Sequence, residues 1–325
     1  MPVLIEVKGL KKYFPIKEPF WKKKKSMLHA VDGISFNIMK GKTTALVGES
    51  GCGKTTTARL MLRLMEPNEG VILYEGRNIF DLDKNSMKNL RRHVQIIFQN
   101  PFSSLNPRKT VSEILALPFS IHKTVENSEI EAQVLKLLEV VGLNPPEFYA
   151  DKLPHEFSGG ERQRIGVARA ISLNPSFIVA DEPVSALDVN IQAQVLNLMK
   201  RLQEELNLTY LYITHDLSVV RSMSDDVVVM YLGKIVEIAK TEQLYNMPLH
   251  PYTQALLSAF LIPNPRKRKS REKSLIKGEP ASPIDPPAYC RFYKRCPFAK
   301  TKCGEIEPTL TKVDRNHFVA CHLNT

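Results

Sequence analysis

Eight consecutive residues, Gly48-Glu49-Ser50-Gly51-Cys52-Gly53-Lys54-Thr55, place three glycines, an amine and a hydroxyl at the spacing G-x-x-x-x-G-K-[ST]. That combination suits a polyphosphate. Glycines let successive backbone N–H groups turn toward one anion, and the amino end of a following helix adds partial positive charge. Lys54 neutralises the terminal phosphates, and the Thr55 hydroxyl can ligate Mg²⁺. Thr56 joins these residues as a nucleotide-binding candidate, whereas Cys52 is a permissive spacer with no chemistry of its own. A second set stands at the end of the apolar run Phe177-Ile178-Val179-Ala180. There Asp181 would hold the magnesium shell and Glu182 would polarise an attacking water. The bland alternatives are a chance glycine-rich turn and an ordinary acidic strand end. Their co-occurrence in one chain disfavours both.

These residues need elements to carry them. Thr43 to Val47 is predicted as a short buried strand running into the loop. A helix follows with Ala58, Met61, Leu62 and Met65 at helical spacing, stopped by Pro67-Asn68-Glu69-Gly70. Val71 to Gly76 is expected as a strand. Ser128 and Glu131 are expected as a capping box ahead of a helix striped by Ile130, Val134, Leu137, Leu138 and Val141. Phe177 to Ala180 is a buried strand. Ile191, Val195, Leu198, Leu202 and Leu206 mark a long helix, followed by strands Thr209 to Thr214 and Asp226 to Tyr231. Such alternation implies an α/β protein with a mostly parallel sheet whose ligands sit at the carboxyl ends of the strands.

Composition sets the bounds. The 325 residues are 43% hydrophobic and 24% charged, an ordinary globular balance. No run of about 18 apolar residues would span a bilayer, and the opening residues carry no secretory pattern, so a cytosolic, thiol-reducing location is expected. The net charge of +11 favours anionic partners. Two runs concentrate it, Lys22-Lys23-Lys24-Lys25 and Arg266-Lys267-Arg268-Lys269, and these suit a solvated loop and a lipid-facing patch equally. From about residue 263 to 289 the chain is rich in proline and charge and is expected as a linker. Residues 290–325 hold four of the five cysteines and are expected as a separate module.

Phe157-Ser158-Gly159-Gly160-Glu161-Arg162-Gln163-Arg164 resembles the signature segment of ABC ATPases. Its surroundings keep the family order. Gln99 follows the phosphate-binding loop like a Q-loop. Asp181-Glu182, Ser185-Ala186-Leu187-Asp188 and His215 resemble the Walker B end, the D-loop and the switch histidine. Glu161 departs from the usual glutamine. The resemblance implies a fold over residues 1–262: a mixed, mostly parallel core sheet, an antiparallel β subdomain and a helical subdomain at about 103–172. It implies a head-to-tail dimer in which each ATP lies between one loop and the partner's equivalent of Ser158-Gly159-Gly160, with Glu161 included among the ATP-binding residues. Glu182 and His215 would be catalytic, Gln99 would touch metal or water, and Phe14 would stack on adenine, with Tyr13 as the alternative.

The segments Ala30 to Phe36, Gln99 to Arg108 and Leu249-His250-Pro251-Tyr252-Thr253-Gln254-Ala255-Leu256-Leu257 are similar to those of dipeptide and oligopeptide importer ATPases. Nickel and glutathione importers share them. The implied partners are a second ATPase subunit of a different paralogue, two transmembrane permeases and an extracytoplasmic solute-binding protein, on the cytoplasmic face of the membrane. Nucleic-acid work by an ABC protein is the other class. One cassette and no sustained heptads disfavour it. A non-catalytic regulatory subunit is disfavoured by the presence of Lys54, Glu182 and His215 together.

Cys290, Cys296, Cys303 and Cys321 are spaced C-x5-C-x6-C-x17-C. Four clustered thiols in a reducing compartment suit zinc or a [4Fe–4S] cluster, with His317 or His322 able to replace one of them and unligated core cysteines as a third option. The surrounding residues resemble the carboxy-terminal module of peptide-importer ATPases, some of which carry an iron–sulfur cluster. The cluster is therefore the expectation and Zn²⁺ the alternative.

Overall fold

The computed structural model describes residues 2–16, 26–100, 104–260 and 281–324. Both lysine-arginine runs and most of the expected linker lie outside the described residues. The chain forms two compact units, one of residues 1–81 with 214–325 and one of residues 82–213.

The first unit opens with β1 (Val3–Pro15) and β2 (Met27–Met39), an antiparallel pair. A short strand, β3 (Thr43–Val47), is buried at every residue and leads through the glycine-rich loop into α1 (Lys54–Met61). This helix ends earlier than its apolar spacing suggests, because Arg63 turns at φ 46° and closes the last turn. Next come β4 (Glu69–Tyr74) and β5 (Arg77–Asn78). The strand expected to reach Gly76 stops at Tyr74 because Glu75 and Gly76 both take positive φ, the conformation of a tight hairpin. These strands form the antiparallel sheet β2-β1-β4-β5.

The second unit begins with α2 (Lys84–His93) and β6 (Val94–Ile97). Its helices are α3 (Val111–His122), α4 (Ile130–Val140), α5 (Pro146–Ala150) and α6 (Gly159–Ile171). Strand β7 (Phe177–Asp181), helix α7 (Val189–Leu206) and strand β8 (Thr209–Thr214) complete the sequence of elements. β6, β7 and β8 pair in parallel. β7 and β8 are buried along their whole length, so they read as continuous apolar runs rather than alternating ones. The capping box expected at Ser128 and Glu131 does not form. Residues Asn127–Glu129 make a 3₁₀ turn that puts Glu129 at the helix start with no side-chain cap.

The chain then returns to the first unit with α8 (Leu217–Met223), β9 (Asp226–Tyr231), β10 (Lys234–Lys240), α9 (Thr241–Asn246) and α10 (Pro251–Phe260). β9 lies parallel to β3 and antiparallel to β10. The C-terminal residues correct the expectation of a separate module. β11 (Thr311–Asp314) and β12 (His317–Val319) form a hairpin, and β12 pairs with β10 through Glu237–Val319 and Ile238–Phe318. The edge of β10 is thereby covered by the chain's own C-terminal strands. The linker's last residues are also docked: His29 donates to Pro283 O and Asp285 donates to Met27 O. Among the described residues no helix is long and apolar enough to cross a membrane.

Two buried polar centres tie the C-terminal residues to this unit. The fully buried Glu237 carboxylate accepts the N–H groups of Leu249 (2.8 Å) and His250 (3.0 Å), and lies 2.7 Å from His317 Nε2. Asp32 receives the Tyr13 hydroxyl and the Arg291 guanidinium, with Lys234 3.6 Å away. Burial alone would raise the Asp32 pKa, but the Tyr13 hydrogen bond and the charges of Lys234 and Arg291 outweigh it and hold the carboxyl at about 2, below its usual 3.8.

Both centres make predictions about stability. Replacing Glu237 with Ala leaves an imidazole and two amides buried without an acceptor, and should cost about 3 kcal/mol or more, read as a fall in the denaturation midpoint. Because the folded pKa of Asp32 is depressed, its contribution is present above pH 4 and is lost as pH falls from about 4 to about 2. The melting-temperature gap between the natural chain and Asp32→Asn should therefore narrow through that window, and a constant gap would contradict the depressed pKa.

Candidate functional site

The glycine-rich loop is built on the carboxyl end of β3. Gly48, Gly51 and Gly53 all take positive φ, at 153°, 79° and 111°. Two of them are also wedged against other backbone. A Cβ on Gly48 would stand 2.2 Å from Met230 O, and one on Gly53 would stand 2.1 Å from Ala30 O. Gly53 then caps α1, and the Thr57 hydroxyl donates back to its carbonyl at 3.0 Å. Lys54 is buried, its ammonium donating to Gly48 O (2.7 Å) and Glu49 O (3.1 Å). Ser50 and Thr55 are exposed, and Thr56 is half-buried. Burial raises the pKa of the Cys52 thiol above its ordinary value, which suits an inert spacer.

Further residues of the first unit flank this loop in sequence. Tyr13 and Phe14 pair with His29 and Leu28 across β1 and β2. The Tyr13 ring lies 4.1 Å from the His29 ring, and its hydroxyl is bonded to Asp32, so that side chain is committed to the fold. Phe14 is half-exposed, with the Lys12 amine 5.4 Å from its ring centre. His215 is exposed between the end of β8 and Asp216, which caps α8 by accepting from Ser218 N at 2.8 Å.

In the second unit, Ser158 is the N-cap of α6 and forms a reciprocal capping box with Glu161. The Glu161 carboxylate accepts Ser158 N (2.9 Å) and Ser158 Oγ (2.7 Å), while Ser158 Oγ accepts Glu161 N (3.3 Å). This gives the glutamate that stands where the resemblance implies a glutamine a local task. Burial would raise the Glu161 pKa, but the Ser158 hydrogen bonds outweigh it and the net shift is downward. Gly159 and Gly160 admit their neighbours closely: a Cβ on Gly160 would meet Ile191 Cγ2 at 2.5 Å. The buried Arg162 fastens the preceding turn, donating to Pro154 O (2.6 Å) and His155 O (3.1 Å).

At the end of β7, Asp181 is buried and Glu182 is half-buried. Glu182 takes φ 46°, a costly conformation for a side chain of this size, and its N–H is held by Ile213 O at 2.9 Å. Its carboxylate accepts Gln99 Nε2 at 2.9 Å. The two residues expected to act on water or metal are thus in direct contact. In the D-loop segment, Asp188 caps α7 by accepting Ile191 N at 3.1 Å.

The four cysteines expected as metal ligands belong to the first unit. Each of their six pairs is close enough for one thiol to feel the charge of the other. Among the described residues, however, no three His, Cys, Asp or Glu side chains could hold a metal ion. The expected metal therefore finds no ready-made ligand group. A tetrahedral zinc at about 2.3 Å from each sulfur would need the thiols drawn tightly together. Burial also favours the protonated thiols, raising Cys290 to about 11 and shifting Cys296 and Cys321 upward. His317 is occupied by Glu237, and His322 Nε2 lies 2.9 Å from Ile306 O.

Sequence motifs gave no sign of two side chains that reach the loop. Arg295 makes a two-point ion pair with Glu49, NH1 to Oε2 at 2.9 Å and NH2 to Oε1 at 3.1 Å. The Tyr252 hydroxyl accepts Glu49 N at 2.8 Å. Tyr252 stands in the Leu-His-Pro-Tyr segment, a recognisable stretch whose contact with residue 49 no local pattern encodes.

The ABC transporter family profile matches residues 31–185, and that of the oligopeptide/dipeptide transporter C-terminal region matches residues 236–303. The oligopeptide transport ATP-binding protein AppF of Bacillus subtilis is 54% identical over 98% of this chain and 97% of its own length. The dipeptide transport ATP-binding protein DppF of Haemophilus influenzae is 48% identical over 98% of this chain and 96% of its own. Among solved structures, the ATP-binding cassette MJ0796, a dimer bound to ADP and Pi, aligns with TM-score 0.64 at 28% identity, covering 73% of this chain and 98% of that one. The cassette cbiO1 of Clostridium perfringens aligns with TM-score 0.64 at 25% identity, covering 75% of this chain and 91% of that one. The chain belongs to the ABC transporter ATP-binding proteins, ATPases that power transport, and within them to the group that resembles the oligopeptide and dipeptide transport subunits.

Proposed function

We propose that this chain is the ATP-hydrolysing subunit of an importer of oligopeptides or dipeptides. It works at the cytoplasmic face of the membrane with a second, paralogous ATPase, two permeases and an extracytoplasmic solute-binding protein. One observation carries the peptide assignment: similarity to peptide-transport subunits runs through 98% of the chain, including the C-terminal region, and is not confined to the cassette. No nucleic-acid partner is invoked.

In this mechanism the backbone amides from Gly51 to Thr55, with Lys54, bind the phosphates of ATP, and Phe14 stacks on the base. Phe14 is favoured over Tyr13 because the Tyr13 ring and hydroxyl are already engaged. Magnesium supplies charge neutralisation. The Asp181 carboxylate and the Thr55 hydroxyl are hard oxygen donors suited to it, and Gln99 is a third candidate. Glu182 orients and polarises the attacking water, and its contact with Gln99 supports a shared task. His215 contacts the γ-phosphate. The partner ATPase's equivalent of Ser158-Gly159-Gly160 closes this site from the other side, and this chain's own segment, its amides held by the Ser158–Glu161 capping box, closes the partner's. Glu161 acts through that cap. Hydrolysis removes the bridge between the two ATPases, and the opening moves the permeases.

For the cysteines we propose a [4Fe–4S] cluster with Cys290, Cys296, Cys303 and Cys321 as its thiolate ligands, supported by their number within one unit. Its assembly would require the four thiols to be drawn together, since among the described residues no three such side chains are arranged to hold a metal.

Two measurements test these proposals. In proteoliposomes holding the assembled transporter, Glu182→Gln should lower ATP turnover by about a hundredfold or more while ATP still binds. Unchanged turnover would remove Glu182 from the assigned role, and uptake of nickel or glutathione without peptide would reassign the cargo. Anaerobic purification should yield a brown protein with about four irons per chain, and a colourless iron-free preparation would refute the cluster.

A further inference from the structure

The ion pair between Arg295 and Glu49 joins the C-terminal segment to the second residue of the phosphate-binding loop. It is well built. The Arg295 side chain is only 9% exposed, and its NH1 also donates to the Tyr231 hydroxyl at 3.3 Å, with the guanidinium 5.7 Å from the Tyr231 ring centre. Its backbone N–H is held by Phe292 O at 3.0 Å. Phe292 packs edge-on against Tyr231 and Tyr252, at 5.3 and 5.6 Å between ring centres. Tyr231 and Tyr252 lie 4.7 Å apart. All three rings are buried. One aromatic cluster therefore carries both groups that grip Glu49, the guanidinium on its carboxylate and the Tyr252 hydroxyl on its amide.

The charge arithmetic shows why that grip matters. The loop must accept a polyanion, and Lys54 supplies one positive charge from beside the Glu49 carbonyl. The Glu49 side chain puts a negative charge back into the same loop. Paired with Arg295, it contributes little field. Unpaired, it would repel the phosphates and be free to draw Lys54 away from them. A two-point guanidinium–carboxylate pair also fixes direction, which a single ammonium does not.

We propose that Arg295 is a positioning residue for ATP binding: by holding and neutralising Glu49, it makes the affinity of the phosphate-binding loop for ATP depend on the docked C-terminal segment. This rests on the assignment of the loop as the ATP site. By reciprocity, ATP binding also stabilises the docked segment, and whatever loosens the segment weakens ATP binding to the same extent.

The test uses the full chain for MgATP titration by calorimetry, and the assembled transporter in proteoliposomes for ATPase kinetics. Arg295→Ala should raise the Kd and the KM for ATP roughly tenfold with kcat within about twofold. Arg295→Lys should fall between the two, since it restores charge without the second hydrogen bond. Adding Glu49→Gln to Arg295→Ala should return the Kd to within about threefold of the natural value, because the repelling charge is then gone. A purely structural arginine would show no such rescue. Should Arg295→Ala fail to fold by thermal melting, Arg295→Lys decides the matter through a raised KM at retained kcat. An unchanged Kd in the folded Arg295 variants, a loss confined to kcat, or failure of Glu49→Gln to restore affinity would each overturn the proposal. Lys54→Ala is the separate control: if it binds ATP like the natural chain, the loop assignment fails rather than the role of Arg295.

Discussion

The site depends first on how closely the backbone approaches itself at the phosphate-binding loop. Gly48 and Gly53 sit where a methyl group would overlap the carbonyl oxygens of Met230 and Ala30. Those oxygens belong to the end of β9 and to β2, so the loop is seated against both sheets of its unit at once. Strand β3 delivers the chain to that seat and α1 leaves it. The amides can face one point only because no side chain intervenes. Positive φ at all three glycines and the close approach at two of them are separate reasons for the same residue type. Together they leave little freedom for substitution.

Legibility in the sequence followed how local each determinant is. The loop, Asp181-Glu182 at the end of a buried strand, and the Ser158–Glu161 segment are written in consecutive residues, so they could be picked out without knowing the fold. The one capping box expected from the sequence, Ser128 and Glu131, does not form, because a 3₁₀ turn takes the preceding residues. Reciprocal boxes that were not expected close at Ser158–Glu161 and Thr110–Glu113. A motif of two side chains cannot say where the helix starts when a competing turn is available. The C-terminal residues were the least legible. Their cysteines drew attention to an isolated module, yet β12 adds to the edge of β10, and only long-range pairing could have revealed that.

Glu161 and Glu182 show how environment sorts similar side chains. Both are half-buried glutamates near motif glycines or strand ends. Glu161 spends its carboxylate on its own helix cap, where it satisfies two donors that the first turn would otherwise leave exposed. Glu182 is held in a left-handed conformation with its carboxylate turned to Gln99. Strain at the second and a filled local role at the first separate a candidate base from a structural acid.

The Leu-His-Pro-Tyr segment gains a physical account from the same kind of reasoning. Burial pushes the pKa of His250 down to about 4, so the ring is neutral at ordinary pH and its Nδ1 can accept the Tyr252 N–H at 3.0 Å. A protonated ring would present a donor to a donor. The neighbouring Glu237 carboxylate takes the amides of Leu249 and His250 on one side and His317 on the other. The turn is thus fixed by a neutral histidine and a buried carboxylate, and what it presents to the loop is the hydroxyl of Tyr252 on Glu49 N. Pro251 opens α10 at a position where a missing N–H costs nothing. The segment and the C-terminal hairpin meet at Glu237 through His317, while Tyr252 of the segment and Arg295 reach Glu49 from the Tyr231, Tyr252 and Phe292 rings. The segment is therefore held at one end by a buried carboxylate and engaged at the other with the loop.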